Sequence, residues 1–187
     1  KKDIFLTDTG AYGADSRSWL WHQKSDGTFE EITMKAGLIG KDKKPDLQGP
    51  AFIDIDGDGD LDLVVGDVTG TPLRVYENLV GQDQNWLRIK LVGKGQGGAN
   101  ASAIGARVRV TAGGKTQTLE LQGGYGHGNL QNDLVLTFGL GASCTAESVE
   151  VRWPNGEATT STFAGVLANY TVTLKEGDGL AHYPELP

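Results

Sequence analysis

The chain has 187 residues, 28 of them glycine, and a formal net charge of −7 at pH 7. That length holds one domain or two small ones, and short alternating apolar runs set among glycines are the composition of a turn-rich β protein. The acidity argues against a nucleic-acid partner, no apolar run is long enough to span a bilayer, and Cys144, the single cysteine, excludes an intrachain disulfide or a multi-cysteine zinc site.

From the N-terminus, Asp3-Ile4-Phe5-Leu6-Thr7-Asp8 and Leu20-Trp21-His22-Gln23 read as short strands. They return as Asp62-Leu63-Val64-Val65-Gly66-Asp67 and Val75-Tyr76-Glu77-Asn78, so the first part of the chain is an internal repeat in which Asp3 corresponds to Asp62. Trp19 and Trp21 take alternate positions of one strand and therefore share a face, where stacking on a neighbouring repeat is expected. Asp26-Gly27-Thr28-Phe29-Glu30-Glu31-Ile32-Thr33 lies between the two copies.

The strongest chemical signal is Asp54-Ile55-Asp56-Gly57-Asp58-Gly59-Asp60-Leu61-Asp62. Calcium takes six to eight oxygen ligands, and carboxylates at alternate positions of a tight loop can turn inward together. Asp54, Asp56 and Asp58 occupy loop positions one, three and five. Gly59 supplies the sharp turn, Asp60 offers its backbone carbonyl, and Asp62 closes the shell. An EF-hand is excluded, because position twelve is Val65, inside a β-branched run, where that motif requires glutamate. An Asp-Gly hairpin turn alone would not need five aspartates in nine residues, which repel one another without a cation.

Together with Gly49-Pro50-Ala51-Phe52-Ile53 before the loop and Leu73-Arg74-Val75-Tyr76-Glu77-Asn78 after it, this segment resembles the FG-GAP or VCBS repeat, the propeller-blade unit also found in integrin α subunits. The resemblance implies blades of a β-propeller, with calcium held at the matching loop. A propeller needs about four to eight four-stranded blades, and residues 1–84 supply fewer than two. The expectation is a fragment or processed product of a longer propeller protein, with the remaining blades elsewhere in it or on another chain.

Beyond residue 84 the pattern changes. Asn85–Leu91, Ala106–Val110, Thr116–Leu121, Ser148–Trp153 and Tyr170–Leu174 alternate with period two, and Gly113-Gly114 and Asn155-Gly156 fit tight hairpin turns. These runs predict a small antiparallel β-sandwich or barrel over 85–178, followed by an extended tail over 179–187. Asn85-Trp86-Leu87, Ile104-Gly105-Ala106-Arg107-Val108, Leu136-Thr137-Phe138-Gly139-Leu140-Gly141 and Val149-Glu150-Val151-Arg152-Trp153-Pro154-Asn155-Gly156 resemble, in order, the ASPIC/UnbV domain. That resemblance implies architecture and carries no catalytic role. The fold class is thus all-β, partial propeller blades followed by a small β domain.

Within this second part, Tyr125, His127, Asn129 and Gln131 of a glycine-rich stretch are candidates for a ligand or partner loop, against the simpler reading of a loop packed on the sheet with Asp133 capping a turn. Trp86 and Trp153 are expected in the core. His22, His127 and His182 have no metal-ligand spacing, and Asn100-Ala101-Ser102 and Asn169-Tyr170-Thr171 are sequons.

The leading functional expectation is a secreted or cell-surface calcium-binding interaction or adhesion module, non-catalytic, with a protein or glycan partner. One alternative is a subunit of a surface assembly completed by strand sharing with another chain. The other is a polysaccharide-active enzyme, for which Glu120, Glu147 and Glu150 qualify by residue type alone.

Overall fold

The computed structural model describes residues 3–7, 18–38, 47–67, 73–80, 83–124 and 131–184. They form two compact units. The first takes its described residues from the chain up to Ile53 and from Asp62–Asn78, and the second from Asp54–Leu61 and from Leu79 onward. The acidic loop, which sequence alone groups with the repeats, packs within the second unit.

The first unit contains two three-stranded antiparallel sheets, β1 (Ile4–Leu6), β2 (Trp19–Gln23) and β3 (Phe29–Glu31), then β4 (Leu47–Ile53), β5 (Asp62–Asp67) and β6 (Arg74–Tyr76). Their registers reproduce the internal repeat. Ile4 pairs with Trp21 and Phe5 with Leu20 in the first sheet, where Leu63 pairs with Tyr76 and Val64 with Val75 in the second. The equivalence extends to a side-chain staple. Asp3 Oδ1 accepts the Gln23 amide at 2.9 Å, and Asp62 Oδ1 accepts the Asn78 amide at 2.8 Å.

Equivalent positions face different surroundings. Leu63 and Val65 are buried, and Phe5 and Leu20 of the first sheet pack against them with Phe52 and Tyr76. The Phe5 and Phe52 rings meet edge to face, centroids 6.5 Å apart. Ile4 and Leu6, the counterparts of Leu63 and Val65, lie on the opposite face of the first sheet and are 43% and 51% exposed. Trp21 and Trp19 pair with them and share that face, as their spacing predicts.

The second unit is a sandwich of two four-stranded sheets. Strands β7 (Asn85–Val92), β8 (Arg107–Ala112), β9 (Lys115–Glu120), β10 (Val135–Gly141), β11 (Thr145–Arg152), β12 (Thr160–Leu167), β13 (Tyr170–Lys175) and β14 (Ala181–His182) assemble in the orders β10-β7-β13-β14 and β12-β11-β8-β9. Leu87, Ile89 and Leu91 of β7 and Phe138 of β10 meet Val108, Val110, Val149, Val151 and Phe163 of the facing sheet in one core. Trp153, 1% exposed, joins that core and donates its indole N–H to Ser161 Oγ at 2.9 Å.

Three details depart from expectation. The sandwich is not wholly antiparallel, because β13 runs parallel to β7. Asn169 explains this. It turns the chain with φ of 62°, donates its amide to the Trp86 carbonyl at 2.6 Å and accepts the Trp86 amide at 3.1 Å, which lays the incoming strand beside β7 in the same direction. Second, Asn155-Gly156 is not a two-residue turn. The connection runs from Trp153 to Thr159, bracketed by Asn155, whose Oδ1 accepts the Thr159 amide at 3.0 Å. Third, the tail contributes β14, and the Tyr183 hydroxyl accepts the Leu167 amide at 3.0 Å.

Glu176, just past β13, ties the loops at one end of the sandwich together. Its Oε2 accepts the amides of Lys94 and Ala99 at 2.8 and 2.7 Å, and its Oε1 accepts Asn155 Nδ2 at 2.6 Å. Burial alone would raise the pKa of this carboxyl. The three hydrogen bonds and the nearby Lys94 charge outweigh it, and the pKa lies below the ordinary glutamate value.

Candidate metal centre

The acidic loop joins β4 to β5. Short carboxylate side chains followed by glycine satisfy backbone amides locally, and that is how it folds. Asp54 Oδ1 accepts the Gly57 amide at 2.6 Å and Oδ2 the Gly59 amide at 3.2 Å. Asp56 Oδ1 accepts the Asp58 amide at 3.2 Å, and Asp58 Oδ1 the Asp60 amide at 3.0 Å. Gly57 and Gly59 carry φ of 81° and 93°, the left-handed conformations that the tight winding requires.

The consequence is convergence. Asp54, Asp56 and Asp58 each bring one carboxylate oxygen to within 4.8 Å of the others. Oxygen ligands lie about 2.3–2.6 Å from calcium, so oxygens around one ion are at most about 5 Å apart, and the three carboxylates fit a divalent cation. Asp62 is 2% exposed, and one of its oxygens holds the Asn78 amide. Asp60 donates its backbone amide to Asp58, and neither Asp60 nor Asp62 belongs to the three-carboxylate group.

Two residues of β7 that sequence reasoning did not connect with the loop hold it. Arg88 on β7 places Nη1 2.8 Å from Asp54 Oδ2 and Nη2 3.0 Å from Asp133 Oδ2. The Asp54 side chain is fully buried there, and Arg88 is 12% exposed. Asp133 is therefore an ion-pair partner and not merely a turn cap. Trp86, expected in the core, lies two residues before Arg88 on the outward face of β7. The Trp86 ring closes against Gly59, where an added Cβ would fall 1.9 Å from Cε2. The alternation of β7 contains the signal for both. Leu87, Ile89 and Leu91 face the core, so a tryptophan and an arginine on the other face mark a surface that something covers.

The other candidates fare differently. Tyr125, His127 and Asn129 lie outside the described residues, whereas Gln131 donates Nε2 to the carbonyls of Asn132 and Gln122 at 2.9 and 3.3 Å. His22 contacts Asp3, and His182 contacts Asp178 at 2.7 Å. Glu150 pairs with Arg109 at 3.4 Å, Glu147 accepts the Gly113 amide at 3.0 Å, and Glu120 stands opposite Arg107 on β8. Both sequon asparagines serve the backbone. Asn100 brackets Ile104 through both amide atoms, and Asn169 anchors β13. Among the described residues, no helix is long and apolar enough to cross a membrane.

Comparison with known proteins agrees with this architecture. Residues 1–65 match the model of an FG-GAP-like repeat, and residues 95–181 match that of the ASPIC and UnbV family. Cartilage acidic protein 1 of Homo sapiens is 33% identical over 172 residues, covering 83% of this chain and 23% of the relative. The Mus musculus protein is 33% identical over 172 residues, with 83% and 24% covered. That of Xenopus tropicalis is 32% identical over 136 residues, with 67% and 19% covered. The chain thus spans about a fifth to a quarter of the length of these relatives. It consists of an FG-GAP-like repeat region followed by an ASPIC/UnbV domain and is a distant homologue of cartilage acidic protein 1.

Proposed function

We propose that the chain is part of a calcium-binding interaction module that works outside the cell, non-catalytically, with a protein or glycan partner. The convergence of Asp54, Asp56 and Asp58 carries this reading. An all-oxygen, carboxylate-rich ligand set suits a hard cation, and a flexible loop suits calcium better than the smaller, strictly octahedral magnesium. Asp60 through its carbonyl and Asp62 are the proposed remaining ligands. The cation would neutralise carboxylates that repel one another and hold the loop in shape. FG-GAP-like repeats often bind calcium at the corresponding loop, and the relatives' name ties them to cartilage, an extracellular tissue. The ion pair of Glu150 with Arg109 and the hydrogen bond of Glu147 with the Gly113 amide favour the non-catalytic reading over a glycosidase.

The test is a thermal melt of the chain in excess chelator and in millimolar calcium, with Asp58→Ala beside it. Extracellular modules bind calcium with dissociation constants of about 0.1–1 mM, so calcium at about 1 mM stabilises such a site by about 0.4–1.4 kcal/mol. The expected result is a calcium-dependent rise in melting temperature that Asp58→Ala abolishes. An unchanged melt would sink the reading.

Assembly with further strands is a second reading, favoured by the apolar face of the first sheet at Ile4 and Leu6 and by Leu73 and Val75 at the other end of the first unit, 68% and 58% exposed. A mass that rises with protein concentration would support it, and a strictly constant monomer mass would count against it.

A further inference from the structure

We propose that Arg88 is the resident counter-cation of the acidic loop: its guanidinium holds Asp54 in the absence of metal, so that a divalent cation binds against it and Arg88 sets the affinity of the site. This role rests on the metal-binding reading above.

The Asp54 side chain is fully buried, and a buried carboxylate without a cation is strongly unfavourable. Arg88 meets that need from 34 residues away, its Nη1 2.8 Å from Oδ2. Its Nε is buried with no acceptor among the described residues, while both terminal nitrogens are aimed at carboxylates. The guanidinium is thus positioned for charge at some expense in its own hydrogen bonding. Asp54 Oδ1 accepts the Gly57 amide and, as a carboxylate oxygen, retains a second lone pair for a metal.

A metal ion and a guanidinium on one carboxylate repel each other. Arg88 therefore stabilises the metal-free loop more than the loaded one. Asp133, 32% exposed, takes part of the guanidinium's charge and softens that repulsion. An ion pair that merely fastened the loop to β7 would contribute equally with and without metal, and this separates the two roles.

The experiment uses the full chain with calcium chloride alone as the probe, by titration calorimetry and by melts in chelator and in millimolar calcium. Arg88→Gln is expected to bind calcium at least about fivefold tighter, and to lose far more melting temperature in chelator than in calcium. Asp133→Asn is expected to bind about threefold more weakly, because Arg88 then bears on Asp54 alone. Equal losses of melting temperature in both conditions, or unchanged or weaker binding by Arg88→Gln, would overturn the proposal. Should Arg88→Gln fold only in calcium, the proposal stands. Should it fold in neither, Asp133→Asn decides, since weaker binding supports the proposal and unchanged binding overturns it. Wild-type binding that Asp58→Ala removes but that ignores Arg88 and Asp133 overturns this role and leaves the metal site intact. A wild type that binds no calcium overturns both.

Discussion

The second unit carries a core of its own, whereas among the described residues of the first unit the two sheets bury apolar surface against each other, with Leu38 beside them. In the sandwich, Trp153, Phe138, Leu87 and Ile89 are all but inaccessible, and both four-stranded sheets contribute to one continuous core. In the first unit, the described core comes down to Leu38, Leu63 and Val65, with Phe5, Leu20, Phe52 and Tyr76 leaning on them. Residues at equivalent repeat positions then diverge. Leu63 and Val65 are covered by the preceding sheet, and their counterparts Ile4 and Leu6 are not. Repeat units gain stability from neighbours, so each face is as buried as the array allows. A sandwich closes on itself and needs no neighbour.

That contrast can be broken by experiment. The largest expected effect is Trp153→Ala, about 3–5 kcal/mol of destabilisation in urea unfolding, because a large side chain leaves a rigid, dry cavity. Leu63→Ala is expected to cost about 2 kcal/mol and to act only on an earlier transition belonging to the repeats. One unfolding transition shifted equally by both would mean that the units do not unfold separately.

The next effect separates two glycines of the acidic loop. Both have positive φ, but an added Cβ at Gly59 collides with the Trp86 ring while one at Gly57 meets nothing within 4 Å. Gly57→Ala should cost about 1 kcal/mol from backbone conformation alone. Gly59→Ala should exceed it by about 2 kcal/mol or more, as the loop lifts from β7. Equal losses in urea unfolding would show that the loop does not rest on Trp86 in solution.

The smallest effect is a pH dependence confined to the sandwich. The Glu176 carboxyl has a lowered pKa in the folded chain, so its contribution is present above the unfolded value and fades as pH falls through the folded one. Glu176→Gln is expected to lose about 1–2 kcal/mol at neutral pH. The gap to wild type should close on acidification below the ordinary glutamate range. A gap that stays constant across that range would assign the loss to packing instead of charge.

Much of this architecture was legible from sequence because its determinants are local. Period-two alternation in β7, β8 and β13 reports which face of a strand is buried, and that needs no knowledge of the partner. The repeat was legible for the same reason, including the correspondence of Asp3 with Asp62, and the structure adds the shared register and the matching staples. Strand β12 was not. Phe163 and Val166, three residues apart, both turn inward across Gly165 with φ of 65°, and that spacing erases the alternating signal.

The sequence by itself determined that the chain is all-β, that it is repetitive and then not, and that its carboxylates cluster in one loop. Composition, alternation and turn residues act over a few positions and survive without a fold. Only the tertiary structure decided that β13 runs parallel to β7, and that the acidic loop rests on Trp86 with Arg88 bridging Asp54 and Asp133. Those pairings join residues 27 to 84 positions apart. No local pattern encodes which distant carboxylate a buried guanidinium will meet, because the choice belongs to the packing that brings them together.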